Sequence, residues 1–148
     1  MNAIETWESG DGVVEFHDGR RVRGRGLLAQ VPNGLDPQFG VYLLGHAPSI
    51  DRWPHRWVLW QDFSLPASTA AVIAALHEAY ARAEMERVEI ACDGGMGRTG
   101  TALAALAIIS GIPTNDAVDW VREHYHPQAV ETRHQRRWIS DVSSQLRT

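Results

Sequence analysis

The sequence has almost no cysteine and no segment typical of export. Its 148 residues contain one cysteine, Cys92, so no disulfide can form within the chain. Residues 1–8 lack the basic start and apolar run of a secretory signal peptide. These absences predict a cytoplasmic protein, because a reducing compartment preserves a free thiol.

A strong excess of charge and a long apolar run are also absent. The formal net charge is −4, which gives no reason to expect nucleic acid as a partner. The most apolar stretch, residues 103–109, is too short to span a bilayer, so we expect no membrane partner. The basic run at residues 20–25 is interpreted as the solvated face of a hairpin, with a small phosphate-attracting patch as the alternative.

The chain does have the composition of one folded domain. It is 44% hydrophobic and 22% charged, and no repeat or linker divides residues 1–148. Strands come first and then alternate with helices. This order predicts an α/β fold, with a central mixed β-sheet flanked by helices on both faces.

Local signals predict where the elements lie. Asp18-Gly19 predicts a turn between strands at 13–16 and 21–23. Further strands are predicted at 39–44, 56–60 and 88–91. Helices are predicted from Ser68 or Thr69 to about residue 86, from 98 to 110, from Thr114 to about 125, and from about Thr132 onward.

A glycine-rich segment joins the predicted strand 88–91 to the helix that follows. Residues 92–100 read Cys-Asp-Gly-Gly-Met-Gly-Arg-Thr-Gly. N–H groups at a helix N-terminus attract anions, and glycines let successive N–H groups converge. The segment therefore predicts a phosphate-binding loop between a central strand and a helix, formed by Asp93, Gly94, Gly95, Met96, Gly97 and Arg98.

Two kinds of phosphate loop fit this context. A nucleotide-binding P-loop begins with Gly and ends in Lys-Ser/Thr, whereas this segment begins with Cys92 and carries Arg98. A cysteine that faces a helix dipole and an arginine is expected to be a nucleophilic thiolate. Arg98 can hold two phosphoryl oxygens, and Thr99 can donate its hydroxyl to the sulfur. A buried structural cysteine is the alternative.

The segment resembles the signature loop of the protein tyrosine phosphatase superfamily. The matching positions are Cys92, Gly95, Gly97, Arg98, Thr99 and Gly100. Two positions depart from the pattern: Ala91 replaces the family's histidine, and Asp93 places a carboxylate beside the anion site.

Residues 60–66, Trp-Gln-Asp-Phe-Ser-Leu-Pro, resemble the movable acid loop of that family. The resemblance implies that Asp62 is the general acid for the leaving oxygen and then the general base. The alternative is that Asp62 is an ordinary turn or cap residue at the end of a strand.

Residues 129–135 resemble the family segment that holds the hydrolytic water. Glu131 and Gln135 are the candidates for positioning that water. Thr132 and Gln135 also have capping-box spacing, which gives Gln135 a structural alternative.

The resemblance covers residues 57–138, whereas residues 1–45 carry no family motif. It implies a cysteine-dependent protein-tyrosine or dual-specificity phosphatase. This hydrolase would act on a phosphorylated protein or small phosphoester, without a metal or other cofactor. Two alternatives stay open. One is a pseudophosphatase that binds phosphorylated partners, and the other is a rhodanese-type or arsenate-type thiol enzyme. The resemblance implies nothing about oligomeric state.

Overall fold

The computed structural model describes residues 6–148. Part of the segment without signal-peptide features, residues 1–5, lies outside the described residues. The strands are β1 (Val13–Glu15), β2 (Arg21–Gly26), β3 (Phe39–Leu44), β4 (His55–Leu59) and β5 (Val88–Cys92). The helices are α1 (Thr69–Arg82), α2 (Gly97–Ser110), α3 (Ala117–His124) and α4 (Arg133–Leu146), with a 3₁₀ turn at Thr114–Asp116. Within residues 6–148, no helix has the length and apolar content needed to cross a membrane.

The five strands form one sheet in the order β1-β2-β5-β3-β4. β1 pairs with β2 antiparallel, and the other neighbours are parallel, which confirms the predicted mixed sheet. β5 lies at the centre, between β2 and β3. The carboxyl ends of β2, β3, β4 and β5 therefore meet at one edge, where ligands bind in open α/β sheets.

The two faces of the sheet are covered differently. Along β5, Val88, Ile90 and Cys92 join a core that includes residues of all four helices. On the opposite face, Ala91 lies in a small cluster that holds no helical residue. Segments 27–38 and 45–54, which contain no helix, supply the partly buried Leu27 and Ile50 to that face. The prediction of helices on both faces was therefore wrong for the described residues.

Most predicted helix boundaries agree with the structure. The Ser68 side chain caps α1, and Thr132 and Gln135 form the predicted capping box of α4. Two ends differ from the prediction. α1 ends at Arg82, earlier than predicted, and Thr114 begins a 3₁₀ turn instead of capping α3 directly.

The interpretation of the basic run as a solvated hairpin face was wrong for Arg23 and Arg25. Arg23 Nη2 donates to a Glu89 carboxylate oxygen at 2.7 Å, and Arg25 Nε donates to the same oxygen at 2.6 Å. The Tyr42 hydroxyl donates to the other oxygen at 2.8 Å. Glu89 is fully buried, so these arginines neutralise an interior carboxylate on the helix-free face.

Candidate active site

The nucleophile candidate lies at the junction of β5 and α2. Cys92 is the last residue of β5 and is only 2% exposed. Its Sγ accepts hydrogen bonds from the Gly95 N–H at 3.1 Å and from the Thr99 hydroxyl at 3.0 Å. Donors aimed at a sulfur favour its negatively charged form. The predicted contact between Thr99 and the sulfur is therefore present.

The backbone of the loop is held from outside by hydrogen bonds to its carbonyls. Cys92 O accepts from Leu27 N–H at 2.9 Å, Asp93 O from Leu28 N–H at 3.1 Å, and Gly95 O from the Tyr125 hydroxyl at 2.6 Å. Met96 O accepts from Val130 N–H at 3.4 Å and also from Gly100 N–H of α2 at 2.9 Å. In a planar peptide the C=O and the next N–H point in opposite directions. Carbonyls held outward therefore turn the N–H groups of residues 93, 94, 96 and 97 inward, as an anion cradle requires.

Close approach of β2 to the loop depends on glycine. Gly95 has φ +78°, and a β-carbon there would lie 2.5 Å from the Gly26 nitrogen. A β-carbon on Gly26 would lie 2.7 Å from the Gly94 carbonyl group. Side chains at these positions would separate the loop from β2 and break the outer hydrogen bonds.

Arg98 is fixed by the ends of two neighbouring strands. It is 2% exposed, and its Nη1 donates to Leu43 O at 3.2 Å and to Trp60 O at 3.1 Å. Its buried Nε has no hydrogen-bond partner among the described residues. A buried donor without an acceptor costs free energy, and an oxyanion in the cradle would supply one.

The acid loop brings Asp62 to the same guanidinium. Asp62 Oδ1 lies 3.5 Å from Arg98 Nη2 and accepts from the Phe63 N–H at 3.0 Å. Trp60 Nε1 donates to Ser64 O at 2.8 Å, which closes the turn that carries Asp62. The Asp62 side chain is 58% exposed, so solvent and a substrate can reach it.

A second carboxylate also faces Arg98. Asp93 Oδ2 lies 3.9 Å from Arg98 Nη2, and Asp93 Oδ1 lies 3.8 Å from His46 Nε2. His46 follows β3, and the sequence offers no local signal that places it beside the loop. An entering anion therefore meets one guanidinium between two carboxylates.

The segment before α4 lies against the loop. A β-carbon on Gly97 would collide with Glu131 Oε1, so the Glu131 side chain covers that α-carbon. Gln135 is fully buried, and its Oε1 accepts from the Glu131 and Thr132 N–H groups at 3.0 and 3.3 Å. The capping interpretation of Gln135 is confirmed, and the water-positioning roles of both residues stay predictions.

Taken together, the described residues form an α/β domain with a buried sulfur, a guanidinium and a carboxylate at the carboxyl edge of a mixed sheet. Residues 47–147, more than half of the chain, match the family model described as protein-tyrosine phosphatase. The chain belongs to the protein-tyrosine phosphatase family.

The chain is also similar to individual curated proteins and solved structures. Two uncharacterized proteins of Methanocaldococcus jannaschii, MJ0215 and MJECL20, are 33% and 31% identical over 88 residues, or 60% of this chain. The chain spans about half the length of these curated relatives, 54% and 58%.

The crystal structure of Tk-PTP in the active form is 25% identical, with a TM-score of 0.66 over 88% of this chain and 96% of that one. The crystal structure of DUSP15 shares the fold, with a TM-score of 0.69, 12% identity, and coverage of 93% and 94%.

Proposed function

We propose that this protein is a cysteine-dependent phosphatase of the protein-tyrosine or dual-specificity class and that it hydrolyses phosphomonoesters. One observation carries the proposal: a buried sulfur with two donors shares a backbone cradle with a buried guanidinium whose Nε lacks an acceptor among the described residues. A phosphoryl group fits both requirements, because its oxygens accept from Arg98 while its phosphorus faces the sulfur. Since the sulfur must stay reduced, the proposed compartment is the cytoplasm.

In the first proposed step, the Cys92 thiolate attacks phosphorus. The S–P bond forms and the P–O bond to the leaving group breaks. Asp62, close to Arg98 and open to solvent, gives its proton to the leaving oxygen. Arg98 and the inward N–H groups of residues 93, 94, 96 and 97 bind the other oxygens, and this preorganised cradle stabilises their developing charge.

In the second step, water attacks the cysteinyl-phosphate. Asp62 takes a proton from the water, the S–P bond breaks, and its electron pair returns to Cys92. The Thr99 hydroxyl, 3.0 Å from Sγ, stabilises the departing thiolate. For accepting a hydrogen bond from the water we favour Glu131, whose carboxylate lies against Gly97 of the loop, because Gln135 Oε1 is already used in the helix cap and only its Nε2 donor lacks a partner among the described residues.

Hydrolysis of p-nitrophenyl phosphate by the reduced protein tests the proposal. Cys92→Ser should abolish turnover and retain phosphate binding. Asp62→Asn should lower kcat by about 10²- to 10⁴-fold, the usual contribution of a positioned acid. Asp141→Asn, an exposed change on α4, is the matched control and should leave kcat unchanged. Full turnover in Asp62→Asn would contradict this mechanism and favour a rhodanese-type or arsenate-type thiol enzyme.

A second function is favoured by the charge around Arg98. Asp62 and Asp93 both lie within 4 Å of its Nη2, and the second carboxylate opposes the negative charge that develops on the phosphoryl oxygens during transfer. A pseudophosphatase that binds phosphorylated partners would use the cradle without turnover. Binding of a phosphotyrosine peptide by the intact, reduced protein, together with absent hydrolysis, would select this function.

A further inference from the structure

One of the hydrogen bonds that hold the loop from outside has a side-chain donor, whereas the others have backbone donors. The carbonyls of Cys92, Asp93 and Met96 accept from backbone N–H groups of segments 27–28 and 130. The Gly95 carbonyl accepts instead from a side chain, the Tyr125 hydroxyl, at 2.6 Å. Tyr125 lies at the C-terminal cap of α3, thirty positions from Gly95 in sequence. This contact can therefore be deleted without changing the backbone.

The ring of Tyr125 packs directly against Gly24 of β2. A β-carbon on Gly24 would lie 2.7 Å from Tyr125 Cε1 and 2.9 Å from Cζ. Only glycine at this strand position leaves room for the ring in its present place. This packing orients the Tyr125 hydroxyl toward the loop and restricts the movement of the ring.

The hydroxyl remains a donor over a wide pH range. Burial, followed by the nearby charge of Cys92, raises the pKa of Tyr125 above its ordinary value of 10.0. The phenol therefore stays protonated at neutral and mildly alkaline pH. Its acceptor, Gly95 O, belongs to the residue whose own N–H donates to Cys92 Sγ.

We propose that Tyr125 is a positioning residue for the nucleophile. Its hydroxyl fixes the Gly95 carbonyl outward, which turns the Met96 N–H of the same peptide toward the anion. It also restrains the backbone of Gly95, the residue whose own N–H donates to the sulfur. The side chain of Ala91, directly before the nucleophile, is a methyl group and cannot donate a hydrogen bond to the loop. The side-chain donor that anchors the loop is instead Tyr125, at the end of α3. The catalytic meaning of this role rests on the proposed function.

Alkylation of the thiolate measures the role without turnover. Cys92 is the one cysteine in the chain, so iodoacetamide modifies a single thiol. Tyr125→Phe removes only the hydroxyl. Donors that are less well oriented toward the sulfur stabilise its thiolate less, so the midpoint of the alkylation rate against pH should move upward by about 0.5 to 1 pH unit. The same variant should lower kcat more than it changes KM.

Tyr80→Phe is the matched control. Tyr80 also donates its hydroxyl to one acceptor, Asp18, and that pair lies away from the loop. The control should leave the alkylation midpoint unchanged. Every other titratable or charged group that faces the sulfur or its loop is the same in both variants: His46, Asp62, Asp93, Arg98 and Glu131.

A purely structural role predicts a different result. In that case Tyr125→Phe lowers the melting temperature and leaves the midpoint where it is in the unsubstituted protein, which overturns the proposal. Gly24→Ala provides a second variant, should Tyr125→Phe fail to fold. Its β-carbon displaces the ring while the hydroxyl remains, and the midpoint should again move upward; an unchanged midpoint in a folded Gly24→Ala protein would also overturn the proposal.

Failure of the proposed function gives a separate signature. A protein that hydrolyses no phosphoester but shows the upward shift in Tyr125→Phe retains the positioning role. If the protein is active but Tyr125→Phe does not shift the alkylation midpoint, the positioning role is wrong and the proposed function stands.

Discussion

At the scale of single residues, Arg98 has more carboxylate neighbours than the proposed chemistry needs. In the proposed mechanism, Asp62 acts as general acid and then as general base. Asp93 has no step assigned to it, and its carboxylate lies 3.9 Å from Arg98 Nη2 and is about one-third exposed. His46, 3.8 Å from the same carboxylate, offsets this charge only when it is protonated. We therefore expect Asp93 to weaken anion binding and to disfavour highly charged substrates.

Replacing Asp93 by asparagine should strengthen phosphate binding. The change removes one negative charge near the anion at almost constant volume. For a partly exposed pair we expect the inhibition constant of inorganic phosphate to fall by about threefold to tenfold, with a smaller gain at high salt. Inhibition of p-nitrophenyl phosphate hydrolysis measures it, with Asp141→Asn as the remote control. Equal inhibition constants in all three proteins would show that the Asp93 carboxylate points away from the bound anion.

At the scale of elements, β5 joins the site to the helix-free face of the sheet. The residues of β5 that face the helices end in Cys92. On the helix-free face, the buried Glu89 accepts hydrogen bonds from Arg23, Arg25 and Tyr42 on the two neighbouring strands. The same strand thus positions Cys92 and ties β2 and β3 together. Removing one partner from this group would leave buried charge unpaired, which costs free energy of folding.

Glu89→Gln should destabilise the fold strongly. It removes the charge that compensates Arg23 and Arg25, and breaking a buried ion pair costs about 3–5 kcal/mol. Urea denaturation gives the free energy of unfolding. Glu84→Gln is the control, because Glu84 is 66% exposed and pairs with Arg20 at 3.5 Å, a contact worth less than about 1 kcal/mol. A loss in Glu89→Gln no larger than in the control would mean that water or rearrangement compensates the arginines.

The two capped helices offer a matched pair of variants. Ser68 caps α1 and Thr132 caps α4, and each accepts one backbone N–H at 3.1 Å. Ser68→Ala and Thr132→Ala should each cost about 1 kcal/mol in unfolding free energy. Only Thr132→Ala should also lower kcat, by severalfold, because Glu131 beside it covers Gly97 of the loop. Equal kcat values in the two variants would separate the start of α4 from catalysis.

At the scale of the whole molecule, all the tyrosines resist ionisation. The chain has three tyrosines and no lysine. Burial, with the hydrogen bond to Asp18 as the next cause, raises the pKa of Tyr80 to about 12. Burial also raises the pKa of Tyr42, where the charge of Glu89 adds to it, and that of Tyr125. Each phenol is therefore held protonated by the folded state.

Alkaline titration should consequently be coupled to unfolding. In the unfolded chain tyrosine ionises near pH 10, so above that pH the unfolded state has released protons that the native state retains. The stabilisation is fully present below pH 10 and is lost as pH rises toward the folded pKa values. Near-ultraviolet phenolate absorbance should stay low past pH 10 and then rise together with the loss of circular dichroism. Ionisation of all tyrosines near pH 10 in a folded protein would contradict this expectation.

The loop and most of the helix boundaries could be predicted from local sequence. Cys92, its glycines and Arg98 lie within seven positions, so their spacing alone restricts the backbone to a strand, a curled loop and a helix start. The prediction that Asp62 lies beside this loop depended on the family resemblance, and the structure brings the two together. The helix caps depend on residues three apart, which is also local information.

Only the tertiary structure decided which distant side chains reach the site and where the helices pack. Tyr125, His46 and the partners of Glu89 are separated from their contacts by tens of residues, and no periodicity in the sequence encodes such pairs. The covering of one sheet face by helices and of the other by loops depends on how the connections cross the sheet. Local propensity acts over a few residues, whereas these arrangements follow from packing the whole core at once.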